Sequence, residues 1–505
     1  MFVRKKPNKS GVVSIQIIDK SSGKYKVYKT IGSSKDPQQI LALLEEAHQE
    51  LVLLNGQQSI NFDQAKEQQV LDLFFEGIQS IRLVGPELLL GKLFDEIGFN
   101  LIPDELFRAL VITRLSYPVS KLKTTDYIFK HKGEHIDVDK VYRYLDKFHS
   151  EQMQTVQQIS YQHTLKVLDG HINIVFYDVT TLYFETDEQD DLRKTGFSKE
   201  GKHQHPQILL GLLASIDGYP LAYELFEGNK YEGHTLLPVL TKFRAKYQLG
   251  RLVVVADAGM LSNENIRQLE DGDYEYILGA RIKAEPTEVQ QQILSLSLSN
   301  GQCAQIQKST KTKLVISYSE SRAKKDKANR ERGLQKLEKN LGKGKLSKRN
   351  INNRGYNKYL KLDGDVKVSI DYEKWDKDSK WDGLKGYMTN AELSKEEVIE
   401  QYGNLWSIER AFRISKTDLR IRPIYHRLIH RIEAHICIAF CAYKIYKELE
   451  RQLREKNAGL SPEKAIDIAK TIFKVTIMTP YSKMRHERLH IPNEEQKILM
   501  NLFDL

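Results

Sequence analysis

The chain has 505 residues, more than a single hydrophobic core usually spans, so two to four domains with room for a buried sheet are expected. Its 77 Lys and Arg against 67 Asp and Glu leave a net charge of +10 and a pI of about 9.0, which favours a polyanionic partner, nucleic acid first. Three cysteines (Cys303, Cys437, Cys441) make no CxxC pair or zinc spacing, Met1 to Val13 lacks an apolar export segment, and no apolar run is long enough to cross a membrane. A disulfide scaffold, a zinc module and a membrane protein are thereby excluded, and a soluble protein of a reducing cytoplasm is expected.

Residues 11 to 32 alternate like strands around Ser21-Ser22-Gly23, and Pro37 to Leu54 is predicted helical, so 1–60 reads as a small hairpin-plus-helix module. Region 61–168 has helical apolar spacing, with a helix opening at Pro103-Asp104-Glu105 and a basic one over Val138 to Phe148, and is read as a helical DNA-binding region.

The grammar changes at 169–289. Strands are predicted at Ile172 to Val179, Ile208 to Ile216, Leu221 to Phe226, Leu252 to Ala256 and Tyr274 to Leu278, with helices at 234–248 and 263–270. Region 290–388 offers short strands at Leu314 to Tyr318 and Val366 to Tyr372 around a run, Ser321 to Asn350, with 12 Lys and Arg against 3 Asp and Glu. That surplus of nine positive charges suits a solvated or disordered segment as well as an element that tracks phosphates. Region 389–445 carries a helix from Ser394, capped by Glu397, to at least Thr417, and 446–505 reads as a helical tail for dimerisation.

Three carboxylates stand out. Asp178 ends the apolar run Ile-Asn-Ile-Val-Phe-Tyr, and Asp257 follows Leu-Val-Val-Val-Ala; a carboxylate at the end of such a strand needs a compensating charge. Glu409 shares a helix face with Tyr402 and Lys416, seven residues to either side, and with Leu405, Trp406 and Phe412, so a glutamate is expected in a buried apolar stripe. A salt bridge to Arg410 or Arg413 is the plain alternative, and both arginines are expected to point around the helix, off that stripe. Trp406 is expected to fill core space, with base stacking as the less favoured role. Three such carboxylates could hold two divalent ions about 4 Å apart for in-line phosphoryl transfer, and oxygen donors select magnesium, or manganese in its place, over zinc. Lys202-His203-Gln204-His205 is read as a surface or DNA-contacting loop with no metal, and His426, Arg427, His430, Arg431 and His435 as a basic helix face for phosphate.

The strand and helix order, with Tyr-Asp-Val-Thr-Thr-Leu-Tyr-Phe (177–184), Val-Ala-Asp-Ala-Gly-Met (255–260) and Ile-Glu-Arg-Ala-Phe-Arg-Ile-Ser-Lys-Thr-Asp-Leu (408–419), resembles the DDE transposases of bacterial insertion sequences. Tyr402, Glu409 and Lys416 match three positions of the Y-R-E-K signature of one branch, while its arginine falls on Leu405; the 152 residues from Asp257 to Glu409 match that branch's β-rich insertion. The resemblance implies an α/β fold, a ribonuclease-H-like mixed sheet core with a β-rich insertion flanked by mainly helical regions. It implies catalysis and binding of two magnesium ions by Asp178, Asp257 and Glu409, and DNA contacts by Tyr402, Lys416, Arg410, Arg413, Arg420, Arg422 and His426.

It further implies binding of terminal inverted repeats, cleavage, joining to target DNA through a hairpin intermediate, a homodimer on double-stranded DNA, no membrane, and a bacterial cytoplasmic, nucleoid-associated location. A structure-specific nuclease, or a catalytically silent DNA-binding regulator descended from a transposase, is the alternative.

Overall fold

The computed structural model describes residues 1–54, 62–198, 201–363 and 367–505. The expected boundary at 60/61 and the expected strand start at Val366 lie outside them. In chain order the elements are β1 (Phe2–Pro7), β2 (Val13–Asp19), β3 (Lys26–Ser34), α1 (Pro37–Leu54), α2 (Phe62–Gly77), β4 (Ile78–Leu83), α3 (Gly85–Ile97), α4 (Glu105–Ser116), α5 (Lys121–Lys132), α6 (Val138–Glu151) and α7 (Met153–Val167). The core follows as β5 (Ile174–Tyr183), β6 (Gln207–Ser215), β7 (Pro220–Glu227), α8 (Leu236–Tyr247), β8 (Val253–Ala256), α9 (Asn263–Asp271) and β9 (Glu275–Ala280). Next come α10 (Thr287–Ser295), β10 (Cys303–Gln307), β11 (Lys313–Tyr318), α11 (Glu320–Gly342), β12 (Leu360–Asp363), β13 (Lys367–Ile370), α12 (Tyr372–Ser379) and β14 (Leu384–Thr389). The chain closes with α13 (Lys395–Gly403), α14 (Trp406–Thr417), α15 (Ile429–Glu455), α16 (Pro462–Ala469), β15 (Phe473–Met478), β16 (Arg485–His490) and α17 (Glu494–Leu502).

Two compact units result. The smaller, Met1–Ile81 with Lys474–Leu489, carries the antiparallel sheet β1-β2-β3, whose Ile15, Ile17 and Ile18 are buried, and the sheet order β16-β15-β4. The tail, expected to be helical, thus contains two strands: every residue of β16 is exposed, so pairing rather than apolar periodicity makes it a strand.

The larger unit, Arg82–Phe473 with His490–Leu505, is built on one eight-stranded mixed sheet, order β10-β11-β14-β9-β8-β5-β6-β7. Within it β7-β6-β5-β8-β9 is the ribonuclease-H-like order: antiparallel from β7 to β5, then parallel from β5 through β9. Alternation divides the strand residues between two cores. Val175, Tyr177, Val254 and Ala256 bury against Leu236 and Leu240 of α8, while Phe176 and Val255 bury with Ile408 and Phe412 of α14 and with α15. The insertion continues the sheet, because β14 pairs antiparallel with β9 from Gly386↔Ala280 to Thr389↔Ile277.

The basic run settles as helix α11, whose Ser319 cap accepts from the Arg322 N–H at 3.5 Å. One side of α11 is anchored: Leu337 is buried, and Arg330 reaches Asp382 at 2.7 Å and stacks over Trp375 at 4.3 Å. The helix expected unbroken from Ser394 is two, α13 and α14, separated at Asn404-Leu405 by a tight turn in which the Leu405 N–H bonds the Tyr402 carbonyl at 3.1 Å. Among the described residues no helix is long and apolar enough to cross a membrane.

Candidate active site

β8 is short, and this makes the site. It pairs with β5 only from Ile174↔Val253 to Tyr177↔Ala256 and then stops. Asp178 and Asp257 are the next residues on each strand, on the face of Phe176 and Val255, the face that α14 covers. β5 itself runs on to Tyr183, so Asp178 lies in mid-strand at the point where one neighbour ends, and not at the strand's end as expected. This is where a ribonuclease-H-like sheet switches direction of connection, the usual place for a site.

Both aspartates are half-buried. Asp178 Oδ1 accepts from the Val179 N–H at 2.7 Å and Asp257 Oδ1 from the Gly259 N–H at 2.8 Å. A Cβ on Gly259 would lie 2.8 Å from Asp257 Oδ1, so a side chain there would make the carboxylate shift. Arg281 holds the same loop by donating to the Ala258 carbonyl at 2.9 Å.

Tyr402, on α13, feels the charge of all three carboxylates. Burial raises its hydroxyl pKa, and the charges of Asp257, Tyr387, Glu409 and Asp178 raise it further, so it stays protonated. The hydroxyl lies against β9: a Cβ on Gly279 would stand 2.5 Å from it and 3.0 Å from the Ala258 nitrogen. The Tyr387 ring packs edge-on at 4.8 Å.

Glu409 corrects its expectation. It is exposed, and the buried side of α14 is Ile408, Ala411, Phe412 and Ile414, behind Leu405. The turn at Asn404-Leu405 interrupts the straight helix assumed by seven-residue spacing. Trp406, expected in the core, is 56% exposed, and shares helical spacing with Glu409, Arg413 and Lys416. Arg413, expected to point elsewhere, is exposed on this open stripe, and Lys416 is half-buried on it. Arg410 instead reaches α15, with Nη1 at 2.5 Å from Glu450.

Lys385, on β14 of the insertion, went unnoticed in the sequence. Its Nζ lies 4.4 Å from the Tyr402 ring centroid; burial and then Arg322 lower its pKa, while Glu409 opposes the shift. It brings a cation to the neighbourhood where Leu405 leaves the signature without one, and only the register of β14 against β9 reveals it.

Arg420, Arg422 and His426 gather around a separate cleft past the end of β5, where Phe184 bridges to Ile424 and Arg422 lies 5.6 Å from the Tyr183 ring. The open basic face expected after α14 is not present as such: Arg431 and His430 both bond Asp146, at 2.7 and 2.9 Å, and buried His435 has Nε2 at 3.1 Å from the Ile421 carbonyl.

Among the described residues, no group of three or more His, Cys, Asp or Glu is drawn tightly enough together to cage a metal ion unaided. The donor chemistry of Asp178, Asp257 and Glu409 is wholly carboxylate, which fits a hard divalent ion such as magnesium and not zinc.

A family model described as the transposase DDE domain matches residues 169–445. The chain belongs to that family. Among solved structures this transposase is similar to a piggyBac transposase synaptic complex with hairpin DNA, at 8% identity over 77% of this chain and 79% of that one, with a TM-score of 0.39. It is similar also to a Mos1 transposase paired-end complex with left transposon end, at 11% identity over 34% of this chain and 58% of that one, with a TM-score of 0.16. No curated protein matches. The family match, together with the sheet order, carries the assignment.

Proposed function

We propose that this transposase binds the terminal inverted repeats of a mobile DNA element, cuts the element's ends and joins them to other DNA at Asp178, Asp257 and Glu409. The observation that supports this most is that Asp178 and Asp257 directly follow the last paired residues of β5 and β8, with Tyr402 near enough for the charges of both aspartates and of Glu409 to raise its pKa.

The three carboxylates would hold magnesium or manganese, two ions in the full site. Such ions, when bound, supply charge neutralisation at the phosphodiester and ease ionisation of the attacking hydroxyl. The chain's own side chains orient the substrate. Tyr402 donates its hydroxyl proton as a hydrogen bond to a phosphate oxygen, and Lys385, Arg413 and Lys416 present positive charge to the same strand. Trp406, open to solvent beside Glu409, offers a ring on which a displaced base stacks. Water attacks phosphorus, the element's 3′-oxygen leaves with a proton, and that 3′-hydroxyl attacks a phosphodiester of the target, displacing a second 3′-oxygen. We assign the Y-R-E-K insertion-sequence branch, a hairpin intermediate, a homodimer bridging two ends and DNA reading by 61–168 on the same basis.

The test is incubation of the protein with magnesium and a labelled library of inverted-repeat ends, comparing wild type with Glu409→Ala on denaturing gels. Cleaved and joined products lost in the variant support transposition. Cleavage without joining indicates a nuclease, and binding without either a silent regulator.

A further inference from the structure

Between the first turn of α5 and the segment that follows α14 lies a cleft of about 500 Å³. Arg114, Lys121, Arg422, His426, His435 and the hydroxyl of Ser120 line it, and no carboxylate does. Arg114 and Lys121 are each only 5% exposed, and neither charged group has a hydrogen-bond or ion-pair partner among the described residues. A buried charge without a partner is expensive, and two beside each other more so.

The cost of this arrangement shows in Arg114, Lys121, His426 and His435. Burial brings Arg114 down to about 10, so it remains a cation at neutral pH. Burial, and then Arg114, lowers Lys121. Burial, followed by Lys121, Arg114 and Arg431, brings His426 down to about 3, and His435 is lowered by burial and then by the same Arg114 and Lys121. The first turn of α5 adds its dipole, because residues 118–123 all line the cleft. One anion in the cleft would offset the repulsion among these cations and give the buried charges a partner.

We propose that this cleft is a phosphate-binding site, built from α4, α5 and the Arg420–His426 segment. The phosphate is either a backbone phosphodiester of bound DNA or a free anion; the former rests on the proposed function, the site itself does not. Tyr183, against which Arg422 lies, is five residues past Asp178 on β5. At about 3.3 Å per residue, Tyr183 at the edge of the cleft is roughly 16 Å from Asp178, about five steps along a DNA strand.

The test is thermal unfolding of the full chain and of Lys121→Met, in chloride and in inorganic phosphate at matched ionic strength, with Arg114→Gln as a second variant. In chloride, Lys121→Met unfolds at a higher temperature than wild type, because a buried unpaired charge is gone. Phosphate then raises the wild-type Tm by roughly 2–4 °C and leaves both variants unmoved. Repeating the titration with a short duplex present separates the sources. If a DNA phosphate fills the cleft, the phosphate response disappears and Lys121→Met lowers the salt slope of duplex binding by about one. If a free anion fills it, the response persists and duplex affinity is unchanged. Asp178→Asn, which disables the triad, keeps the phosphate response, so failure of the cleft and failure of the catalytic reading are distinguishable. Wild type gaining no more from phosphate or duplex than Lys121→Met overturns the proposal.

Discussion

Lys385 of the insertion places its ammonium 4.4 Å from the ring centroid of Tyr402, the residue whose hydroxyl pKa is raised by the charges of Asp257, Glu409 and Asp178. An insertion strand therefore brings a positive charge to the carboxylates. If that charge meets the reacting phosphate, Lys385→Ala lowers the single-turnover cleavage rate by about a hundredfold, as for loss of one donor to a developing anion. Lys385→Arg keeps most of it. Equal losses in both variants, measured on a labelled end, would indicate packing and not charge.

Gly279 tests how closely Tyr402 must seat. A Cβ there would be 2.5 Å from the tyrosine hydroxyl, so Gly279→Ala pushes the ring off the sheet. Cleavage is expected to fall at least tenfold, on the order of removing one hydrogen bond to the phosphate. In a Tyr402→Phe background the same substitution costs little more, because the hydroxyl it strikes is gone. A double-mutant cycle on cleavage rates reads the coupling directly.

The two aromatics of α14 should separate stability from function. Trp406 is 56% exposed and Phe412 6%. Urea unfolding should show Trp406→Ala costing under about 1 kcal/mol and Phe412→Ala about 3–5 kcal/mol. Trp406→Ala should nevertheless slow cleavage of paired ends more than of ends with a frayed terminal base pair, since stacking matters most where a base must leave the duplex.

These contrasts mark where the sequence was readable. The strands β5 to β9 are mostly apolar runs bounded by turn residues, so their order could be read directly, and the family resemblance added the ribonuclease-H-like core. Asp178 and Asp257 were visible as polar residues ending such runs. The surroundings of Glu409 were not, because a turn at Asn404-Leu405 changes which residues α14 presents to the sheet. Lys385 was invisible because only the pairing of β14 with β9 brings it beside Tyr402. Nothing in the sequence singles out Arg114 and Lys121, because only tertiary packing buries them.

The His163 imidazole gives the fold a pH dependence. It is 9% exposed and its pKa is brought down to about 4, first by burial and then by Lys444, with Glu448 opposing and Arg451 and Lys166 adding to the shift. Glu448 stands 3.6 Å from Nε2, but burial outweighs its attraction. The unfolded chain, with an ordinary histidine near 6.5, takes up its proton first as pH falls, so stability is lost from about pH 6.5 down to about pH 4. The loss amounts to roughly 3 kcal/mol. Urea unfolding at a series of pH values should show this decline, and His163→Gln should lessen it by roughly 3 kcal/mol, leaving the share of His426 and His435, whose pKa values are lowered too.

The most direct test of the three carboxylates as one metal-dependent site is a change of ligand at Asp257. Asp257→Cys replaces a hard oxygen with a sulfur that magnesium binds poorly and manganese accepts better. With an end-containing duplex, the variant should bind as wild type does, fail to cleave in magnesium, and recover at least tenfold in manganese. Cleavage by Asp257→Cys in magnesium at the wild-type rate would contradict a role for Asp257 as metal ligand, and with it the proposed catalytic site.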